Sequence, residues 1–195
     1  MSKTRVEAFS DGVIAILITI MVLEFRTPHE VTLAALATEL PLFAVYVLSF
    51  VYLGIYWSNH HHLFHAATRV SGGVLWANLH LLFWLSLVPF ATAWMAEHHG
   101  DALPTAVYAF VLLCDGAAWT LMKNVLVRVE GPHSRLGRAV GRDLKGRLSL
   151  LIYIFAIALA FVRPWIAQTL VAVVAAMWLV PDRRIEAVLT EPAVR

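Results

Sequence analysis

The sequence predicts an all-α integral membrane protein with six transmembrane helices and both termini on the cytoplasmic side. Its composition is the first reason: of 195 residues, 60% are hydrophobic and only 14% charged, with a mean hydropathy of +0.73. Soluble domains run nearer roughly 45–50% apolar and 25% charged, and one soluble core of this size could not bury the excess. The second reason is that the apolar residues gather in runs long enough to cross a bilayer, and the third is that the basic residues divide unevenly between the two ends of those runs. A nucleic-acid binder, a disordered chain and a disulfide scaffold are excluded by the same numbers. The formal charge is only +2, and the single Cys114 has no partner within the chain.

A crossing helix needs about 20 largely apolar residues. Runs of that kind fall at roughly 6–25, 40–60, 74–96, 103–127, 148–162 and 165–180, giving one membrane domain over 1–195 with a solvated cytoplasmic loop at 129–147. The last two runs are short and flank Arg163-Pro164. Proline breaks a helix and arginine prefers an interface, so a tight helical hairpin is expected there; one kinked helix over 148–180 is the alternative. Charge asymmetry separates the two. With six spans, Lys3, Arg5, Arg69, Lys123, Arg128, Arg135, Arg138, Arg142, Lys145, Arg147, Arg183, Arg184 and Arg195 fall inside, 13 of the 15 basic residues, and only Arg26 and Arg163 fall outside. Five spans would carry Arg183-Arg184 outside and weaken that bias. Anionic lipid headgroups are the natural partners of these charges. The first run holds Asp11 and Glu24 with no small-residue cleavage site after it, so it reads as a retained helix rather than a signal peptide.

Only 12 uncharged residues separate Asp11 from Glu24. They span about 18 Å of helix against a hydrocarbon core of roughly 30 Å, so at least one carboxylate sits at membrane depth and must face protein or water. Arg5, Glu7, Ser10 and Asp11 make the start of the helix polar, as a cluster reaching for the interface also would. Between the acids, Gly12, Ile16, Thr19 and Leu23 share one stripe, with Ile20 beside it. Such a stripe suits ordinary helix packing. It equally suits a pore whose apolar side chains converge and gate by dewetting, which would require several subunits around an axis.

Other polar groups lie at depth. His61 and His65 have the four-residue spacing of paired metal ligands, but neither cysteine nor carboxylate accompanies them, so no metal or other cofactor is expected. Asn78 comes at about the depth of His60 and Asp11, the arrangement of an interhelical hydrogen-bond cluster. Asp115 falls midway along the fourth run, either as a proton or cation site or as a neutral acid bonded across helices. No hydrolytic triad, phosphate-binding glycine loop or pair of carboxylates points to an enzyme.

The residues Arg5-Val-Glu-Ala-Phe-Ser-Asp11 fit the signature R-x-x-x-F-S-D, and the helix runs on to Glu24. Trp57, His60 and Leu63-Phe64, then Asn78-Leu79 with Pro89-Phe90 eleven residues on, continue the likeness. Together they resemble the endolysosomal potassium channel family, in its short bacterial branch with one six-helix repeat per chain. The likeness covers the first three helices by motif and the rest by topology.

That resemblance implies a homotetrameric channel of the cell membrane, passing potassium and other monovalent cations, with proton permeation possible. The first helix of each subunit would line the pore. Ile16 matches the main constriction, Ile20 and Leu23 further apolar layers, and Thr19 the threonine beside them. Arg5, Ser10 and Asp11 match a polar network that fixes this helix, with His60 and Asn78 as its partners. No Thr-Val-Gly-Tyr-Gly selectivity loop occurs. Glu24 would concentrate cations at the outer mouth. His61, His62, His65 and Asp115 have no role in that pattern. A proton-coupled transporter using Asp11 or Asp115 is the competing expectation.

Overall fold

The computed structural model describes residues 2–25, 27–132, 134–140 and 143–179; the side chains of Arg135 and Ala139 are not described. Among these residues every regular element is helical. Of the charges used to orient the chain, Arg26, Arg142, Arg183, Arg184 and Arg195 lie outside the described residues.

Helix α1 runs Lys3–Ile20 and tightens into a 3-10 turn at Met21–Glu24. The short α2 (Leu33–Ala37) is capped by Thr32, whose hydroxyl accepts the Ala35 amide. Helix α3 (Leu40–Ala66) opens with Pro41 in its first turn, where a missing N–H costs nothing. The expected third span is two helices, α4 (Gly72–Leu85) and α5 (Val88–Glu97). Pro89 has no N–H to offer the Leu85 carbonyl, and the Ser86 hydroxyl donates instead to Phe83 O at 2.6 Å. The break is therefore local and the direction of the chain is kept.

Helix α6 (Ala102–Glu130) is the longest, about 43 Å at 1.5 Å per residue. It ends at Gly131, whose φ of +99° is open to glycine alone without strain. The 129–147 segment is not a bare linker. It carries α7 (Arg135–Val140) and the beginning of α8 (Leu144–Ala160), which Asp143 caps by accepting the Gly146 amide at 3.0 Å. Asp143 is also ion-paired with the buried Lys123 of α6. The chain turns at Phe161–Arg163 into α9 (Pro164–Leu179), which runs back along α8: Lys145 reaches Met177 O and Trp178 Nε1 reaches Ser149 Oγ.

Among the described residues four stretches, Lys3–Glu24, Leu40–Ala66, Gly72–Glu97 and Ala102–Glu130, are long and apolar enough to cross a membrane, whereas α9 is shorter. α6 forms the centre, packed by α4, α5, α8 and α9. Small residues bring the backbones close, as membrane bundles require: a Cβ on Gly116 would stand 3.0 Å from Leu150, and Ala156, Ala160, Ala167 and Ala175 are buried nearby. Polar ties sit among them. Tyr108 bonds Ser49, which also accepts from Thr92; Tyr153 donates to Tyr52, and Tyr52 to Val171 O. The outward faces are apolar, with Phe50, Trp76, Phe83, Phe90 and Phe155 exposed, as suits a lipid-facing surface.

Candidate functional site

Helix α1 has two faces. Val6, Ser10, Ile14, Leu17 and Met21 recur at helical spacing and are buried against the bundle. The other face holds Gly12, Ile16, Thr19, Ile20 and Leu23, all exposed, with Ile16 62% and Leu23 75% accessible. Five positions on this face are thus left exposed by the described residues, and a Cβ on Gly12 would meet nothing within 4 Å. The Thr19 hydroxyl donates to the Ala15 and Ile16 carbonyls, both at 3.0 Å, so its polar end is turned to its own helix.

The first half of α1 is held by hydrogen bonds. Buried Ser10 donates to Val6 O at 2.9 Å and accepts from Asn78 Nδ2 at 2.9 Å. The Asn78 carbonyl oxygen in turn faces His60 Nε2 at 2.8 Å, which requires the tautomer carrying its proton on Nε2. One chain of bonds therefore joins α1, α4 and α3. His60 also stacks on Phe64, and its Nδ1 has no partner among the described residues.

Asp11 is not in that chain. Its carboxylate accepts from the indole N–H of Trp57 at 3.0 Å. Trp57 lies three residues before His60, near enough in angle to share the side of α3 that faces α1. A tryptophan N–H at the depth of an acid is the sequence signal for this partner, beyond the place of Trp57 in the motif. Arg5 is exposed, and among the described residues its side chain is not bonded to Ser10, Asp11, His60 or Asn78.

Glu24 closes the other end of α1 and is exposed. It lines an open cleft with Thr38, Glu39, Pro41, Glu97 and His99, so three carboxylates gather where α1 and α5 end and α3 begins. Of the histidines outside the motif, His61 stacks between Trp57 and His65, and among the described residues no three ligating side chains converge on a metal position. Asp115 is fully buried, within electrostatic range of Tyr56, Tyr108 and Tyr153, and neither of its oxygens has a hydrogen-bond partner among the described residues.

A family model described as the endosomal/lysosomal potassium channel TMEM175 matches residues 5–89, the segment that holds α1 and both partner helices of its hydrogen-bond chain. A relative from a Chryseobacterium strain, named a potassium channel, is 49% identical over 98% of this chain and 100% of its own length. The chain belongs to the TMEM175 family. The crystal structure of a lysosomal potassium-selective channel TMEM175 homologue from Chamaesiphon minutus superposes with a TM-score of 0.78 at 28% identity, covering 93% of this chain and 97% of that one. The human TMEM175, named an endosomal/lysosomal proton channel, is 40% identical over 87 residues, which is 37% of this chain and 17% of its own. TMEM175 proteins are ion channels of membranes, not enzymes, and the fold described above is theirs.

Proposed function

We propose that this chain is a passive potassium-permeable channel of the cell membrane, assembled from four copies around a pore lined by α1. The observation that carries this reading is the bare apolar stripe of α1 opposite a buried face. One stripe cannot enclose a channel, but four copies meeting on an axis can, and that contact would cover what a single subunit leaves open. Relatives named potassium channels support the choice of ion. In this reading each subunit crosses six times with both ends cytoplasmic, α8 and α9 supplying the last two crossings at about 25 Å each, and lipid headgroups meet the basic inner segments.

Ile16 is the main constriction, with Ile20 and Leu23 as further apolar layers and Thr19 beside them. Four isoleucines leave a passage that water deserts when narrow; a shift in α1 packing widens and wets it. Arg5, Ser10, Asp11, His60 and Asn78 position the helix, and Glu24 raises the local cation concentration at the outer mouth. Other monovalent cations, and protons along the wetted path, pass by the same route.

The test is potassium flux into liposomes holding the purified protein, with no proton gradient imposed, beside Ile16→Asn. A polar ring is easier to wet, so the variant should leak about tenfold faster, the effect of taking about 1.4 kcal/mol off a barrier. Unchanged flux puts the constriction elsewhere. Flux that appears only with a proton gradient favours the transporter alternative, for which Asp115, buried and without a hydrogen-bond partner among the described residues, is the carrier to examine.

A further inference from the structure

The turn between α3 and α4, residues 67–71, is gripped from two sides. On one side is Glu130, the last residue of α6. Its Oε1 accepts the backbone N–H groups of Thr68 and Arg69 at 2.6 and 2.7 Å, and its Oε2 accepts the Thr68 hydroxyl at 2.9 Å. A carboxylate on two successive amides makes charge-assisted bonds, the strong kind. Gly131, with its positive φ, ends the helix at that point and leaves the Glu130 side chain at the rim, where the turn passes.

On the other side is Lys3, at the start of α1. Its ammonium donates to the carbonyls of Ala67 at 3.2 Å and His65 at 3.5 Å. The amides of the turn thus face an anion on α6 while its carbonyls face a cation on α1. The Ala67 carbonyl and the Thr68 N–H belong to one peptide group, so Lys3 and Glu130 hold the same peptide from its two ends. α6 is the best-packed helix of the bundle, whereas α1 has one face bare. The turn is therefore tied directly to the start of α1 through Lys3 as well as to α6 through Glu130.

We propose that Glu130 is a positioning residue for conduction: it fixes the α3–α4 turn against α6, and the turn fixes Lys3 and with it the N-terminal end of the pore helix. This rests on α1 lining the pore. Glu130 touches no ion in this scheme. It sets how readily α1 moves, so its loss changes how often the pore is open and leaves unchanged what the open pore conducts.

The experiment is single-channel recording of the reconstituted full chain, comparing wild type with Glu130→Gln, Glu130→Asp, Thr68→Ala and Lys3→Met, with assembly of each checked by size. Glu130→Gln and Lys3→Met should each change the open probability by about fivefold or more, the low end of couplings between linked groups. Unitary conductance and reversal potential should stay at wild-type values. Because both act through one turn, the double variant should do no more than the larger single one. Glu130→Asp keeps the charge and should fall nearer wild type than Glu130→Gln.

An assembled Glu130→Gln channel with wild-type open probability overturns the proposal. So does a change in unitary conductance or reversal potential, which would put the charge in the ion path, and so do additive single effects. If Glu130→Gln does not assemble, Thr68→Ala decides, since it deletes only the hydroxyl contact: a smaller shift in the same direction as Lys3→Met supports the proposal and none overturns it. A wild-type chain that carries no passive potassium current fails earlier, and overturns the pore reading and this proposal together.

Discussion

Replacing Asn78 by leucine keeps the shape of a 2% exposed side chain and removes both bonds by which α4 links Ser10 of α1 to His60 of α3. The two ends of that chain lose unequally. Ser10 keeps its bond to Val6 O, so its loss is one net hydrogen bond, about 1 kcal/mol. His60 keeps nothing: its Nδ1 already has no partner among the described residues, and Nε2 joins it. An orphaned buried donor costs about 1–3 kcal/mol. Interhelical bonds in bilayers run toward the low end of such figures, because the unfolded chain finds partners there too. The expected cost of Asn78→Leu is therefore about 2–3 kcal/mol. His60→Leu should cost less, about 1–2 kcal/mol, since Asn78 keeps its bond to Ser10 and loses only one donor to its carbonyl. The double variant leaves no orphan at either position and should cost clearly less than the sum, a coupling of at least about 1 kcal/mol. Thermal loss of the purified assembly in one detergent, followed for wild type, both single variants and the double, measures the cycle. Additive losses, or an Asn78→Leu assembly within about 0.5 kcal/mol of wild type, would refute the claim that this chain of bonds holds the helix.

Trp57→Phe removes the one donor on the Asp11 carboxylate among the described residues; the bond is solvent-exposed, so the loss should be about 1 kcal/mol in the same melting assay. Asp11→Ala should lose no more than Trp57→Phe if this bond is its whole contribution, and failure of Asp11→Ala alone to assemble would show a contact beyond the subunit. Glu24→Gln should lower single-channel conductance at low salt and lose its effect as ionic strength brings the screening length to about 3 Å at 1 M; a salt-independent change would place Glu24 in direct contact with permeating ions. Asp115→Asn should leave passive potassium flux at the wild-type level, because Asp115 lies in the centre of one subunit and far in sequence and packing from the bare stripe of α1. Loss of flux in that variant would bring the proton-coupled alternative forward.

Hydropathy makes the long apolar helices and the stripe of α1 readable before any coordinates, since both are one-dimensional patterns. Depth is readable in the same way: Asn78, His60 and Asp11 can be set at one level by counting residues from a helix end. Rotation is not. Whether two groups at one level touch depends on how each helix turns about its axis, and that is decided by packing with helices far away in sequence. Hence Asn78 meets Ser10 and His60, while Asp11 turns to Trp57 and Arg5 stays outside the cluster. The break at Ser86–Leu87 was missed for a related reason. Pro89 is visible, but a proline can kink a helix and let it run on, and the Ser86 hydroxyl capping Phe83 O is a local bond with no signature in the composition. Glu130 lies at a helix end among other charges, and the turn that it holds is 61 residues earlier in the chain, so no sequence spacing announces it.

Hydrogen bonds and apolar contacts divide α1 between them, and the division bears on how such a helix can gate. Lys3, Ser10 and Asp11 bind at fixed angles in the first half of the helix, which sets its rotation about its own axis. Beyond Asp11 the packed face holds Val13, Ile14, Leu17, Ile18 and Met21, all apolar, whose contacts are non-directional and survive small shifts. Ile16 sits just past the last directional bond. In the proposed tetramer, a helix held this way would keep Ile16 aimed at one side while its far half tilts, and tilt would change the width of a ring made of four such residues. Were the bonds distributed along the whole length, the width would be fixed; were there none, the helix could turn Ile16 away from the axis. Among the described residues the directional bonds from this helix to its neighbours lie at one end, which would give the proposed pore a fixed direction and a variable radius, the combination a hydrophobic gate needs.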